Sequence, residues 1–191
     1  MKRRRGKIGE LSKNGDYPML SIVKCSLPDN ALLASYSRDG TYTDCYSTDI
    51  IGAISHVEFV IAFYTTLIFK LERVILKWAV SKPSTDAQAR LLAEGTINNF
   101  AAWYVESRSE NQILMSDFWG RTRSWLMVTP LPAGNGTLTR LYFGSAVVPV
   151  QNPKSGIPSL GLGFHALLGF HKVYSQVLLY SAKSRLKARR P

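Results

Sequence analysis

The residues able to do chemistry are few. The imidazoles are His56, His165 and His171, and the thiols are Cys25 and Cys45. A metal centre would need several of these together, yet the chain has no His-x-His pair, no HExxH and no CxxC. His165 and His171 sit in two copies of a Gly-Phe-His triplet. Six residues at about 100° each leave the two rings roughly 240° apart around a helix, so they do not share a metal. No metal and no other cofactor is expected. Two cysteines make neither a zinc site nor a disulfide framework, and a reduced pair fits a cytoplasmic chain. Nucleophilic catalysis would need a Ser or Cys presented to a His and an orienting acid. There is no G-x-S-x-G elbow, Gly144-Ser145 falls inside a strand-like stretch, and neither a P-loop nor GxGxxG occurs. Leu160-Gly161-Leu162-Gly163 lacks the preceding parallel strand and later acid of a dinucleotide site, so it reads as a helix entry. Glu58 stands three residues after Ser55, a capping-box spacing that explains it without catalysis.

His171, Tyr174 and Asp117 remain, and they need elements to position them. The run 160–182 predicts a long amphipathic helix: at about 100° per residue Phe164, Leu167, Phe170, His171, Tyr174, Val177 and Leu178 share one stripe. His165, Lys172, Gln176 and Lys183 fall on the other side. Upstream, the period changes to two over 100–108, 112–118, 122–130 and 138–148. Turn residues join these runs, which predicts an antiparallel meander. A turn at Trp119-Gly120 would set Met115 against Ser124, Asp117 against Thr122 and Ile113 against Leu126. Ile113, Met115, Asp117, Thr122, Ser124, Leu126 and Val128 then face the helix with Trp103, Leu141 and Phe143. The opposite face, with Arg121 and Arg123 among Leu114, Trp125 and Met127, reads as the wetter one. Earlier in the chain, strands are expected at 19–25, 32–36 and 42–51, the last two flanking an Arg38-Asp39-Gly40-Thr41 turn. Helices follow at 56–63, at 67–80 with Lys70, Arg73 and Lys77 on one side, and at 87–94. The last is capped by Ser84-Thr85-Asp86 and ended by Gly95.

The expected fold is α+β: an antiparallel sheet wrapped around a long C-terminal helix (a helix-grip), with two or three short helices after the first strand. The tracts GRTRSWLMVTP, GTLTRLYFGSAVVP and LGFHALLGFHKVYSQVLL resemble the C-terminal part of a bacterial domain-of-unknown-function family of the SRPBCC superfamily, which includes START lipid-transfer and birch-pollen-allergen domains. The resemblance covers roughly residues 100–182. It implies a helix-grip that binds hydrophobic small molecules, sometimes with chemistry on them, and it offers no catalytic residues to carry over.

The net charge of +11 is concentrated at the ends. Residues 1–13 hold six basic side chains and one acid, 183–191 hold five and none, and the rest holds thirteen against twelve. The expected organisation is a basic disordered tail at 1–17, one domain at 18–182 and a basic tail at 183–191. A near-neutral body argues against specific nucleic-acid binding, while the tails allow weak contact with an anionic membrane surface. The stretch 50–69 is apolar enough to resemble a span, but His56 and Glu58 inside it argue otherwise. Residues 6–16 have no apolar segment of a secretory signal, so a cytoplasmic location is expected. The function expected is binding of a hydrophobic small molecule or lipid between sheet and C-terminal helix, without catalysis, by Trp103, Met115, Asp117, Ser124, Leu126, Phe143, His171 and Tyr174. The alternatives are an enzyme of the same fold (a cyclase, hydrolase or isomerase) using His171, Tyr174 or Asp117, and a peripheral membrane or interaction protein.

Overall fold

The computed structural model describes residues 22–37, 41–69, 84–132, 136–151, 158–159 and 162–189. The tail 1–17, the start of the 19–25 strand, the 38–40 turn, helix residues 70–80 and the side chains of Phe164, His165, Leu167 and Phe170 lie outside the described residues.

Seven strands form one antiparallel sheet: β1 (Val23–Lys24), β2 (Tyr42–Ile51), β3 (Asn99–Phe100), β4 (Trp103–Ser109), β5 (Gln112–Asp117), β6 (Thr122–Leu131) and β7 (Leu138–Val147). Their spatial order is β1-β2-β7-β6-β5-β4-β3. With helices α1 (His56–Tyr64), α2 (Asp86–Ala93) and α3 (Leu162–Ala188) they make an α+β fold, and β8 (Val150–Gln151) pairs with β9 (Pro158–Ser159) apart from the main sheet. Among the described residues no helix is long and apolar enough to cross a membrane.

The meander forms because its runs alternate and its links carry turn residues. Gly120, at φ +67°, closes the β5–β6 turn, and Met115 faces Ser124 while Ile113 faces Leu126, as expected. β7 then pairs with β2 along ten residues, from Tyr42 opposite Val147 to Ile51 opposite Leu138. Both short helices start on the expected caps. Ser55 Oγ accepts from Glu58 N at 3.2 Å while Glu58 Oε2 accepts from Ser55 N at 2.8 Å. Thr85 and Gln88 repeat the arrangement at α2.

Four expectations are corrected. Residues 32–36 are not a strand. Leu32–Tyr36 is a 3-10 helix that carries Leu33, fully buried, under the sheet, and so short an apolar run has no periodicity to separate the two forms. The 100–108 run is two strands, because the chain turns at Ala101 (φ +54°) to bury Phe100.

The face bearing Arg123 is not wet. Leu33, Cys45, Leu114, Trp125, Met127 and Ala146 pack there as a second core. Arg123 is 9% exposed. Its Nε lies 2.5 Å from Glu106 Oε2 and 2.9 Å from Tyr36 Oη, and its Nη1 donates to Gly120 O at 2.8 Å. Tyr36 Oη also donates to Glu106. An arginine marks a wet face only until distant groups satisfy it.

The stripe of α3 is also rotated. Ser175, Leu178, Leu179, Ala182, Lys183 and Leu186 are buried, whereas Val177 is 39% exposed. The helix runs six residues past 182, so Leu186 shares in setting its buried face. Lys183 is buried because its Nζ donates to Thr48 Oγ1 at 2.7 Å. The first sheet face carries the main core, in which Phe59, Phe63, Phe69 and Leu92 pack on Ile113, Met115, Leu126, Leu141 and Phe143. α1 lies over β6, and α3 lies across β2 and β7 against α1.

Candidate functional site

Alternate residues of β2 face α3. Asp44 is one of them, with a fully buried side chain. A carboxylate so placed must be hydrogen-bonded on every side. Ser145, directly opposite on β7, supplies two donors to Asp44 Oδ1: its Oγ at 2.6 Å and its backbone N at 3.2 Å. Tyr42 Oη donates to Asp44 Oδ2 at 3.2 Å. Burial first, then the Asp44 charge, raise the Tyr42 pKa, so the phenol keeps its proton and remains a donor. His171 comes down from α3. Its Nε2 lies 2.8 Å from Ser145 Oγ and 3.6 Å from Asp44 Oδ2, and its ring meets Tyr42 edge-on at 6.0 Å between centroids.

The proton arrangement follows from counting. Ser145 has one hydroxyl proton, and the carboxylate at 2.6 Å takes it. Ser145 Oγ must then accept from His171, which places the imidazole hydrogen on Nε2. Nδ1 is left with a lone pair and, among the described residues, no partner. The His171 side chain is 24% exposed. Asp44, Ser145 and His171 are the residue types of a hydrolase triad in a different order. Here the acid holds the serine rather than the far ring nitrogen, so Ser145 is a bridge and not a nucleophile. The arrangement can offer a fixed hydrogen-bond acceptor at Nδ1, or take up a proton there beside a buried carboxylate.

The row continues across the sheet. Ser145 faces Ser124 on β6, and Ser124 faces Met115 on β5. Ser124 is 8% exposed and makes no side-chain hydrogen bond among the described residues. The structure therefore brings Met115, Ser124 and His171 toward one polar row. Leu126 and Phe143 lie in the next row, in the packed core, with the Phe143 ring 4.9 Å from that of Phe63. Trp103, partly buried, is farther off, opposite Asp117. Asp117 serves the turn, its Oδ1 accepting from the backbone N of Arg121 at 2.6 Å and of Thr122 at 3.0 Å. Tyr174 packs partly buried against the main core. Val147 pairs with both Tyr42 and Thr122, so the β5–β6 turn lies at the same end of the sheet as the cluster. Phe118 and Trp119, at that turn, are 65% and 62% exposed.

Sequence reasoning missed Asp44, Ser145 and Tyr42. The available signal was alternation in β2, which turns Asp44 to the same side as Tyr46 and Ile50, where an acid needs partners. No protein-family model matches the chain, and no curated protein matches it. The reading of the site therefore rests on its geometry. Among the described residues no group of His, Cys, Asp and Glu could hold a metal ion.

Proposed function

We propose that the protein binds a small hydrophobic molecule or lipid between its sheet and C-terminal helix, as a helix-grip domain of the SRPBCC kind. The observation that carries this is His171, held by the buried Asp44–Ser145 pair with no partner for Nδ1 among the described residues. Building a buried carboxylate to orient a partly exposed ring costs desolvation, and an acceptor fixed in advance for a ligand offsets that cost. The hydroxyl of Ser124 stands in the same row, and Phe118 and Trp119 offer apolar surface at the same end of the sheet. The ligand on this reading is apolar with one hydroxyl, which donates to Nδ1.

Thermal unfolding in the presence of a medium-chain fatty alcohol and of its methyl ether tests this directly. The alcohol should stabilise the protein and the ether should not, and His171→Gln should remove the difference. If neither compound shifts unfolding, and native mass spectrometry of the purified protein shows no bound lipid, the binding reading is wrong.

A second reading, an enzyme of the same architecture, is favoured by one observation: Asp44 Oδ2 sits 3.6 Å from the ring and would stabilise an imidazolium. His171 would then remove a proton from the bound molecule, in a cyclase, hydrolase or isomerase-like reaction. NMR of a bound alcohol incubated with the protein separates the two, since an unchanged spectrum leaves binding alone.

A further inference from the structure

The cysteines occupy the other face of β2, away from Asp44 and His171. Pairing continues one residue beyond β1: Cys25 N donates to Cys45 O at 3.0 Å, which sets Cys25 directly opposite Cys45. Their Sγ atoms are 3.3 Å apart, and both thiols are free. Opposed residues of antiparallel strands have Cα atoms about 4.5–5.5 Å apart. That lies inside the range of about 4.4–6.8 Å that a disulfide spans, so the sulfurs can join with little backbone movement.

The two environments differ in the way an attacking and a resolving thiol need. Cys45 is 2% exposed, in the second core with Leu33, Trp125 and Ala146. Cys25 is half-buried at the sheet edge, and both cysteines, with Lys24, Ser26, Leu27 and Ser37, line a cavity of about 380 Å³. The hydrogen bond from the Cys45 thiol lowers the Cys25 pKa to about 6, helped by Ser47 and Arg140 against the opposing effect of burial. Donation to Cys25 and burial push the Cys45 thiol up. A negative charge costs less desolvation on the half-buried Cys25 than on the buried Cys45, which favours Cys25 as the attacking sulfur.

We propose that Cys25 and Cys45 are a redox-active dithiol that reacts with small hydroperoxides, Cys25 attacking and Cys45 resolving. The Cys25 sulfur attacks the terminal peroxide oxygen, and the O–O bond breaks. This leaves a sulfenic acid on Cys25 and an alkoxide (hydroxide from hydrogen peroxide) that takes a proton from water. Cys45 sulfur then attacks Cys25 sulfur. The S–O bond breaks, the hydroxyl leaves as water with the Cys45 proton, and a disulfide forms. Two electrons pass from the sulfur pair to the peroxide, and a dithiol reductant restores the pair by exchange.

The test uses the full reduced chain, treated with tert-butyl hydroperoxide, alkylated under denaturing conditions and weighed intact. The wild type should lose both free thiols and two hydrogens per chain, without covalent dimer. In Cys45→Ser and Cys45→Ala chains, dimedone should trap a sulfenic acid on Cys25, while Cys25→Ser should give no adduct on Cys45. Survival of both wild-type thiols at a dose that consumes free cysteine, disulfides only between chains, or dimedone on Cys45 instead of Cys25 each overturns the proposal. The wild-type measurement stands even if the Cys45 variants fold poorly. Alcohol binding at His171 is read separately on the other face.

Discussion

Ser145 bonds both Asp44 and His171, so its loss should be felt twice. Ser145→Ala removes a donor from the buried Asp44 and the acceptor for His171 Nε2–H. Leaving a buried charged group short of a partner costs about 1–3 kcal/mol, so the urea midpoint should fall while the fold persists. Gly144, one residue earlier, is small for a reason visible only in three dimensions. A Cβ there would stand 2.8 Å from Leu33 Cδ2 and 3.0 Å from both Asp44 O and Trp125 Cε3. Gly144→Ala should therefore destabilise by about 1–3 kcal/mol through overpacking, measured in the same titration. His56 carries the pH dependence. Its ring is 7% exposed, its Nε2 has no partner among the described residues, and burial, then the Arg108 charge, lower its pKa from 6.5 to about 4. The unfolded chain thus takes up this proton first as pH falls. Stability from the neutral ring is full above about pH 6.5 and declines toward pH 4, by up to about 3 kcal/mol. The gap in unfolding free energy between wild type and His56→Leu should change across that window, and a gap constant in pH would refute the assignment. None of these roles was legible from residue type. Ser145 reads as an ordinary strand serine until Asp44, 101 positions away, is placed beside it.

At the scale of elements, sequence reasoning succeeds where the cause is local. The Ser55–Glu58 capping box predicted the start of α1 to the residue, and both of its hydrogen bonds are present. Ser55→Ala should lower stability by about 1 kcal/mol, detectable as a lower melting temperature, with little change in ligand binding. Sequence reasoning likewise predicted the full extent of β2, from its β-branched and aromatic run, and the register of the β5–β6 hairpin, from its turn. It failed where burial is decided by remote groups. Gln112 shows how: its Oε1 accepts from Leu32 N at 3.0 Å and Trp125 Nε1 at 2.9 Å, and its Nε2 donates to Asn30 O at 3.0 Å. That one amide anchors the segment that closes the second face, and nothing local to residues 30–36 announces it. The helix stripe erred for a related reason. Lys183 counts as polar on a wheel, but Thr48 gives it a buried partner.

For the whole molecule, the split between two cores makes the binding and redox proposals separable. A ligand at Nδ1 of His171 present at a hundred times its dissociation constant should add about 2.7 kcal/mol of stability. In a chain of this size that corresponds to a rise of roughly 5–10 °C in melting temperature, read by differential scanning fluorimetry. The rise should be absent in His171→Gln and present in Cys25→Ser. The general architecture, a meander followed by a long helix, was legible because each part has its own period. The site was not, because it is assembled by β2 and β7 across most of the chain.

That same strand pair governs how the protein can be made. Asp49 meets Arg140 across 91 residues and Asp44 meets Ser145 across 101. During synthesis at about 5–20 residues per second, β2 therefore waits roughly 5–20 s for the partner that covers its long edge. Through that interval a segment rich in β-branched and aromatic residues stands with an open edge, the condition under which chains pair with each other. Ribosome-bound chains halted before Leu138 are expected to be cut by protease within 42–51. Protection should arrive only when residues through Val147 have emerged.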